Sequence, residues 1–180
     1  MYAMSDLLTR LGLRAAPTLS PTPIPSYTSH FIIANFLLSY VVGSARIQKM
    51  MLGIDNNVSP RGDLRKYGPE AVRSGKMTQR QLDKLERQQA AHENAVEHFP
   101  FFAAGMVFAV LAGLDQGMVN KYGLVYTLVR AAYLLAYAQI EEKRASYVRS
   151  VLWWAGNVTV IRLFWFAGKA LNTARGLDVR

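Results

Sequence analysis

Apolar residues in this chain collect in four blocks, 27–45, 99–114, 122–140 and 147–171, and that clustering restricts the fold more than any other feature. A helix needs about 20 mostly apolar residues to cross the hydrocarbon of a bilayer. Blocks one, three and four reach that length or nearly so. Block two reaches it only if its helix starts near Asn94, which draws Asn94 and Glu97 into or just beneath the bilayer. A soluble bundle would be polar at roughly half of its helix positions. Segments such as FFAAGMVFAVLAGL and VLWWAGNVTVIRLFWFAG are not. The expected fold class is therefore all-α, an integral membrane four-helix bundle with up-down-up-down topology.

Local signals divide the chain further. Residues 1–25, with the Pro-rich run APTLSPTPIPS, read as a flexible N-terminal tail rather than a cleaved signal peptide, because no adequate apolar core precedes block one. A membrane domain follows at 26–173, with helices at about 26–51, 78–113, 119–141 and 146–172. Turn-forming residues in GIDNNVSPRGDLRKYGPEAVRSGKM predict an irregular loop over 52–77. Thr78 with Gln81 three residues on predicts a capping box at the start of helix two. Pro100 predicts a kink in it. Residues 174–180 form a short C-terminal tail.

The net charge of +9 raises nucleic acid as a partner, but the placement of the charge argues against it. Ten of the 21 Lys/Arg residues lie between Arg46 and Arg87, and Lys143, Arg144 and Arg149 flank the third connection. That asymmetry follows the positive-inside rule, with loops one and three cytoplasmic. A solvated basic loop near anionic headgroups, with no nucleic-acid partner, is the reading it supports. There is no cysteine, so thiolate ligands and disulfides are excluded. His30, His92 and His98 lack a metal-ligand spacing, and no metal site is expected.

Charged groups inside a span cost about 2.5–3.5 kcal/mol each on insertion scales, so by default they face a bundle interior or cavity. Four groups of this kind stand out. Arg46 ends helix one. Arg87, Ala90, Asn94 and Glu97 fall at i, i+3, i+7 and i+10 on helix two, as one expected face. Arg130, Tyr133 and Tyr137 form a row on helix three, and Arg149, Trp153 and Asn157 a row on helix four. Plainer readings exist for each. Glu97 and Arg130 can form a structural ion pair, Arg46 and Arg149 can snorkel, and the aromatics can belong to an interfacial belt. Convergence of all four rows near the cytoplasmic ends is what favours a ligand site.

Taken together, these residues resemble the family of membrane-associated proteins in eicosanoid and glutathione metabolism, MAPEG. ERQQAAHENAVEHFPFF carries the strongest likeness, with VRAAYLLAY and VRSVLWWAGN following in order, and the resemblance spans roughly 30–172. It implies a homotrimer in the endoplasmic reticulum, with glutathione as co-substrate bound between subunits and a hydrophobic small molecule arriving from membrane lipid. Arg46 would hold a glutathione carboxylate, and Asn94 and Glu97 the rest of the tripeptide. Arg87, Arg130, Tyr133, Tyr137 and Trp153 would complete the polar lining. Arg149 and Ser150 would stand at the sulfur and stabilise the thiolate, the reactive form of a thiol whose pKa is ordinarily about 8.5.

The chain departs from the family pattern at Ala90 and Glu93, where glutathione-using members place arginines, and at Tyr133 and Trp153. Two lost charge-assisted contacts at about 1.5–3 kcal/mol each would weaken glutathione binding a hundredfold or more. Two functions follow from the resemblance: a membrane-bound glutathione transferase or peroxidase, or a non-catalytic scaffold presenting a lipid to a partner enzyme.

Overall fold

The computed structural model describes residues 24–177, and every regular element among them is helical. In chain order these are α1 (Thr28–Leu37), a π-helical turn (Leu38–Val42), α2 (Arg46–Met51), α3 (Asp63–Arg73), α4 (Gln79–Leu111), α5 (Gln116–Gln139) and α6 (Tyr147–Ala174). Three helical stretches, Thr28–Met51, Gln79–Leu111 and Tyr147–Ala174, are long and apolar enough to cross a membrane. With 24 residues α5 has the length, but Asn120, Lys121, Arg130 and its tyrosines dilute its apolar content. The expected tail over 1–25 falls almost wholly outside the described residues.

α4 and α5 form the central pair. α1 packs on both of them, and α6 packs on both from elsewhere on their surface. Along the helix axes two apolar layers alternate with one polar layer. The first apolar layer joins Ala45, Ile54, Leu64, Ala71, Met77, Leu82 and Leu85. The second joins Phe102, Met106, Ala109, Val119, Tyr126, Val160 and Leu163, with Phe102 and Tyr126 stacked at 4.0 Å between ring centroids. On α4 the segment separating them is 87–98, the polar stretch noted in the sequence. At Gly123 on α5 an added Cβ would lie 2.4 Å from the Phe31 ring, so only glycine lets α1 approach so closely. Buried Asn35 on α1 reinforces that contact, donating from Nδ2 to Phe31 O (2.9 Å) and to Thr127 Oγ1 (2.7 Å).

The first expected helix is interrupted. After the π-helical turn, residues 43–45 leave the helical path before α2 begins. Side chains from α4 take up the carbonyls this frees: His92 Nδ1–H donates to Ser39 O (2.8 Å), and Gln88 Nε2 donates to Ser44 O (3.3 Å). Insertions of this type carry unmet backbone groups that neighbours must satisfy.

The stretch 52–77 also departs from expectation, because it contains α3. That helix is short and amphipathic, and it buries Leu64 and Ala71 against Leu82 and Leu85 of α4. A buried ion pair fixes it in place: Lys49 Nζ donates to Asp63 Oδ1 (3.0 Å) and Pro60 O (2.8 Å). At the start of α4 the Thr78–Gln81 capping box is present in both directions. The helix runs unbroken through Pro100 to Leu111. Gly113, at φ +72°, turns the chain toward α5, whose N-cap Asp115 accepts from Met118 N–H (2.9 Å).

Candidate functional site in the polar layer

The polar layer is built from α4, α5 and α6. Arg130 is 3% exposed on α5, and its guanidinium reaches Asn94 Oδ1 at 3.5 Å. Its carbon lies 4.5 Å from the centroid of the Tyr133 ring. Tyr133 in turn meets Tyr137, with centroids 5.0 Å apart. Arg149 of α6 lies over the other end of this row, 4.3 Å from the Tyr137 centroid, and donates to the Ile140 carbonyl that ends α5. Asn94, Arg130, Tyr133, Tyr137 and Arg149 thus form one continuous string of contacts across three helices.

Its charge balance is unusual. Neither Arg130 nor Arg149 has a carboxylate partner among the described residues. Arg130 Nη1 and Arg149 Nε are buried and make no hydrogen bond. Cation–π contact with tyrosine offsets part of the desolvation, about 0.5–2 kcal/mol per contact. It does not supply a counter-charge. A layer of this kind suits an anionic or readily ionised group brought in from outside.

Sequence reasoning passed over His98, which the structure places in this layer. It is 9% exposed, meets Trp153 edge-on at 5.3 Å between centroids, and leaves Nδ1 without a hydrogen bond. The helix repeat held the signal. Arg87, Ala91, Asn94 and His98 stay within about 60° of one another at 100° per residue.

The same geometry corrects the expected face on α4. Ten residues advance a helix to about 80° short of three full turns, so Glu97 cannot share a face with Arg87. Glu97, Ala90 and Glu93 are all exposed on the outward side of α4. No ion pair joins Glu97 to Arg130, whose contact is with Asn94 instead. Glu93 is met by Gln89, which donates to it at 2.9 Å, while Arg87 pairs with Glu141 (3.0 Å) at the rim. Ser150 is exposed beside Arg149. Arg46 stands outside the layer, bonded to Asn57 Oδ1 (2.6 Å) and 3.6 Å from Asp55. No group of three or more His, Cys, Asp or Glu that could hold a metal occurs among the described residues.

Long apolar helices enclosing a polar layer define a multi-span integral membrane protein. The family model described as the MAPEG family matches residues 24–169, and the chain belongs to that family. No curated protein and no solved structure matches it.

Proposed function

We propose that the protein is a membrane-bound glutathione transferase or peroxidase whose four crossing segments, α1 with α2, α4, α5 and α6, assemble as a homotrimer in the endoplasmic reticulum membrane. The observation that carries this reading is the pair of uncompensated guanidiniums, Arg130 and Arg149, each with a buried unbonded nitrogen. A thiolate would supply the missing negative charge at Arg149, and Ser150 beside it offers a hydroxyl. The thiol loses its proton to solvent water, and the thiolate sulfur attacks an electrophilic carbon: the S–C bond forms and the leaving group departs with its electron pair. Exposed apolar side chains on α6, Val151 and Trp154, leave the bilayer side open to a hydrophobic substrate. Asn94, Tyr137 and Arg130 line the tripeptide's polar groups in this reading, with Arg87, Tyr133 and Trp153 behind them. Arg46 and Glu97 take part only where a neighbouring subunit brings them to the same cleft.

Purified protein should turn over glutathione with a model aryl halide or a lipid hydroperoxide. Arg149→Ala should lower kcat/KM about 10–100-fold, the effect of one charge-assisted hydrogen bond at the reacting sulfur. Absence of turnover above background, or parental turnover in Arg149→Ala, overturns the reading.

A second reading is supported by Ala90 and Glu93, which present no donor and a carboxylate on the outward face of α4. There the protein is a non-catalytic scaffold that holds a lipid for a partner enzyme. A lipid analogue would then bind equally with and without glutathione. Measured glutathione binding in the millimolar range or tighter excludes that reading.

A further inference from the structure

Arg162 is a charge in the apolar middle of α6 that the polar layer does not use. It interrupts the segment VTVIRLFWF, and it is exposed. Its neighbours Val158 (47% exposed), Ile161 (51%) and Trp165 (60%) form an outward apolar surface of the kind that faces acyl chains. Its single contact of note is a distant one, 5.9 Å from the Phe166 centroid. Along α6 it lies 13 residues from Arg149, about 20 Å at 1.5 Å per residue. It is therefore remote from the thiol chemistry proposed above and independent of it.

Arg162 does not stand alone. With Lys121 and Tyr122 of α5 it lines a cleft of about 250 Å³ whose remaining walls are Val125, Val158 and Thr159. Lys121 is exposed and, like Arg162, makes no ion pair among the described residues. Asp115, the nearest acid along α5, is occupied as its N-cap. Thr159 Oγ1 donates its hydrogen bond to Ala155 O (2.7 Å), leaving Lys121, Tyr122 and Arg162 as donors. Lys121 sits five residues from the start of α5, about 7–8 Å below the helix end. A cleft so near a helix end is within reach of lipid headgroups. A guanidinium placed there without a carboxylate is costly, unless an anion from the surroundings meets it. Its planar fork matches phosphate, and a lysine beside it adds a second positive charge.

We propose that the cleft between α5 and α6 is a binding site for the phosphate of an anionic phospholipid, with acyl chains running over Val125 and Val158. The exposed apolar flank selects a lipid over a free phosphate, since only a lipid gains from covering it. Delipidated full-length protein in detergent, offered equal amounts of phosphatidylglycerol and phosphatidylcholine, should retain the anionic lipid preferentially when examined by native mass spectrometry. Arg162→Gln and Lys121→Gln should each reduce that retention about tenfold, the effect of one charged hydrogen bond. Lys169→Gln, an exposed lysine of α6 outside the cleft, should leave it unchanged. Equal retention of the two lipids by the parent protein, or parental retention in both variants, overturns the site. Displacement of the lipid by excess inorganic phosphate overturns the choice of a lipid as ligand. Should Arg162→Gln fail to fold, Lys121→Gln decides the matter by itself, because its side chain is exposed.

Discussion

Lys49 and Arg130 are equally buried cations, 2% and 3% exposed, in opposite electrostatic circumstances. Lys49 Nζ meets a carboxylate at 3.0 Å, a carbonyl at 2.8 Å and the Gln89 amide oxygen at 3.5 Å, one acceptor for each of its protons. Arg130 has five N–H donors and one long contact, with Asn94. The lysine ties α2 to α3 and α4 in a layer whose other members are apolar. The arginine lies over the Tyr133 face and holds no charged partner. A buried charge whose bonds are complete belongs to the fold. One whose bonds are incomplete is kept at a cost to the fold, and the proposed function gives that cost a purpose, a ligand that completes them.

The largest effect expected from this contrast is at Lys49. Lys49→Met would leave the Asp63 carboxylate buried, with Oδ1 accepting only from Leu64 N–H and Oδ2 without a partner. Breaking a buried pair from one side costs about 3–5 kcal/mol. Denaturant titration in detergent should show that loss, and proteolysis between residues 52 and 77 should accelerate as α3 comes away from α4. If the variant unfolded with the parental midpoint, Lys49 would have to be reclassified with Arg130.

Asn35 supplies an intermediate case, a buried neutral group whose donors are engaged. Asn35→Leu removes an inter-helix hydrogen bond to Thr127 while preserving apolar volume. Thr127 keeps its own bond to Gly123 O (2.7 Å), so no orphaned donor is created. The expected destabilisation is about 0.6 kcal/mol and no more than about 1.7, as for other hydrogen bonds between membrane helices. The same titration measures it. A loss as large as that of Lys49→Met would show that bond completeness, rather than charge, sets the scale.

Features read from the sequence survive where one local rule suffices. The Thr78–Gln81 box depends on residues within three positions of each other, and it is present. Arg130, Tyr133 and Tyr137 lie on one helix face, and helical geometry alone brings them together. Misses occur where another element decides. α3 was hidden because its turn-rich composition outweighed a narrow apolar stripe, which becomes stable only against Leu82 and Leu85 of α4. The break at 43–45 depends on His92 and Gln88, more than 40 residues away, to satisfy the freed carbonyls. Glu97 was grouped with Arg87 by adding i+3 steps, yet it turns to the outward side of α4, while His98, passed over, turns inward. Arg162 went unread because a single cation in an apolar run has no pattern of its own. Only the approach of Lys121 from α5 gives it a context.

The smallest change in stability is expected at Arg130, and the comparison with Lys49 depends on it most. Arg130→Met deletes a charge with no carboxylate to strand, so the partner penalty that dominates at Lys49 is absent. What is lost is cation–π attraction to Tyr133, about 0.5–2 kcal/mol, and a long bond to Asn94. What is gained is release from a desolvation cost of several kcal/mol for the buried guanidinium, together with apolar packing from the methionine. These terms oppose one another, and the net change should fall within about 1 kcal/mol of zero in either direction. Glutathione binding, by contrast, should weaken by at least tenfold if Arg130 meets a ligand carboxylate, as the loss of one charged hydrogen bond dictates. Calorimetric titration of glutathione and denaturant titration on the same variant separate the two readings. Unchanged stability with weakened binding places Arg130 in a site. A loss of 3 kcal/mol or more, about what breaking a completed pair costs, would mean that a carboxylate from another chain already neutralises it. The charge deficit that supports the transferase reading would then belong to assembly.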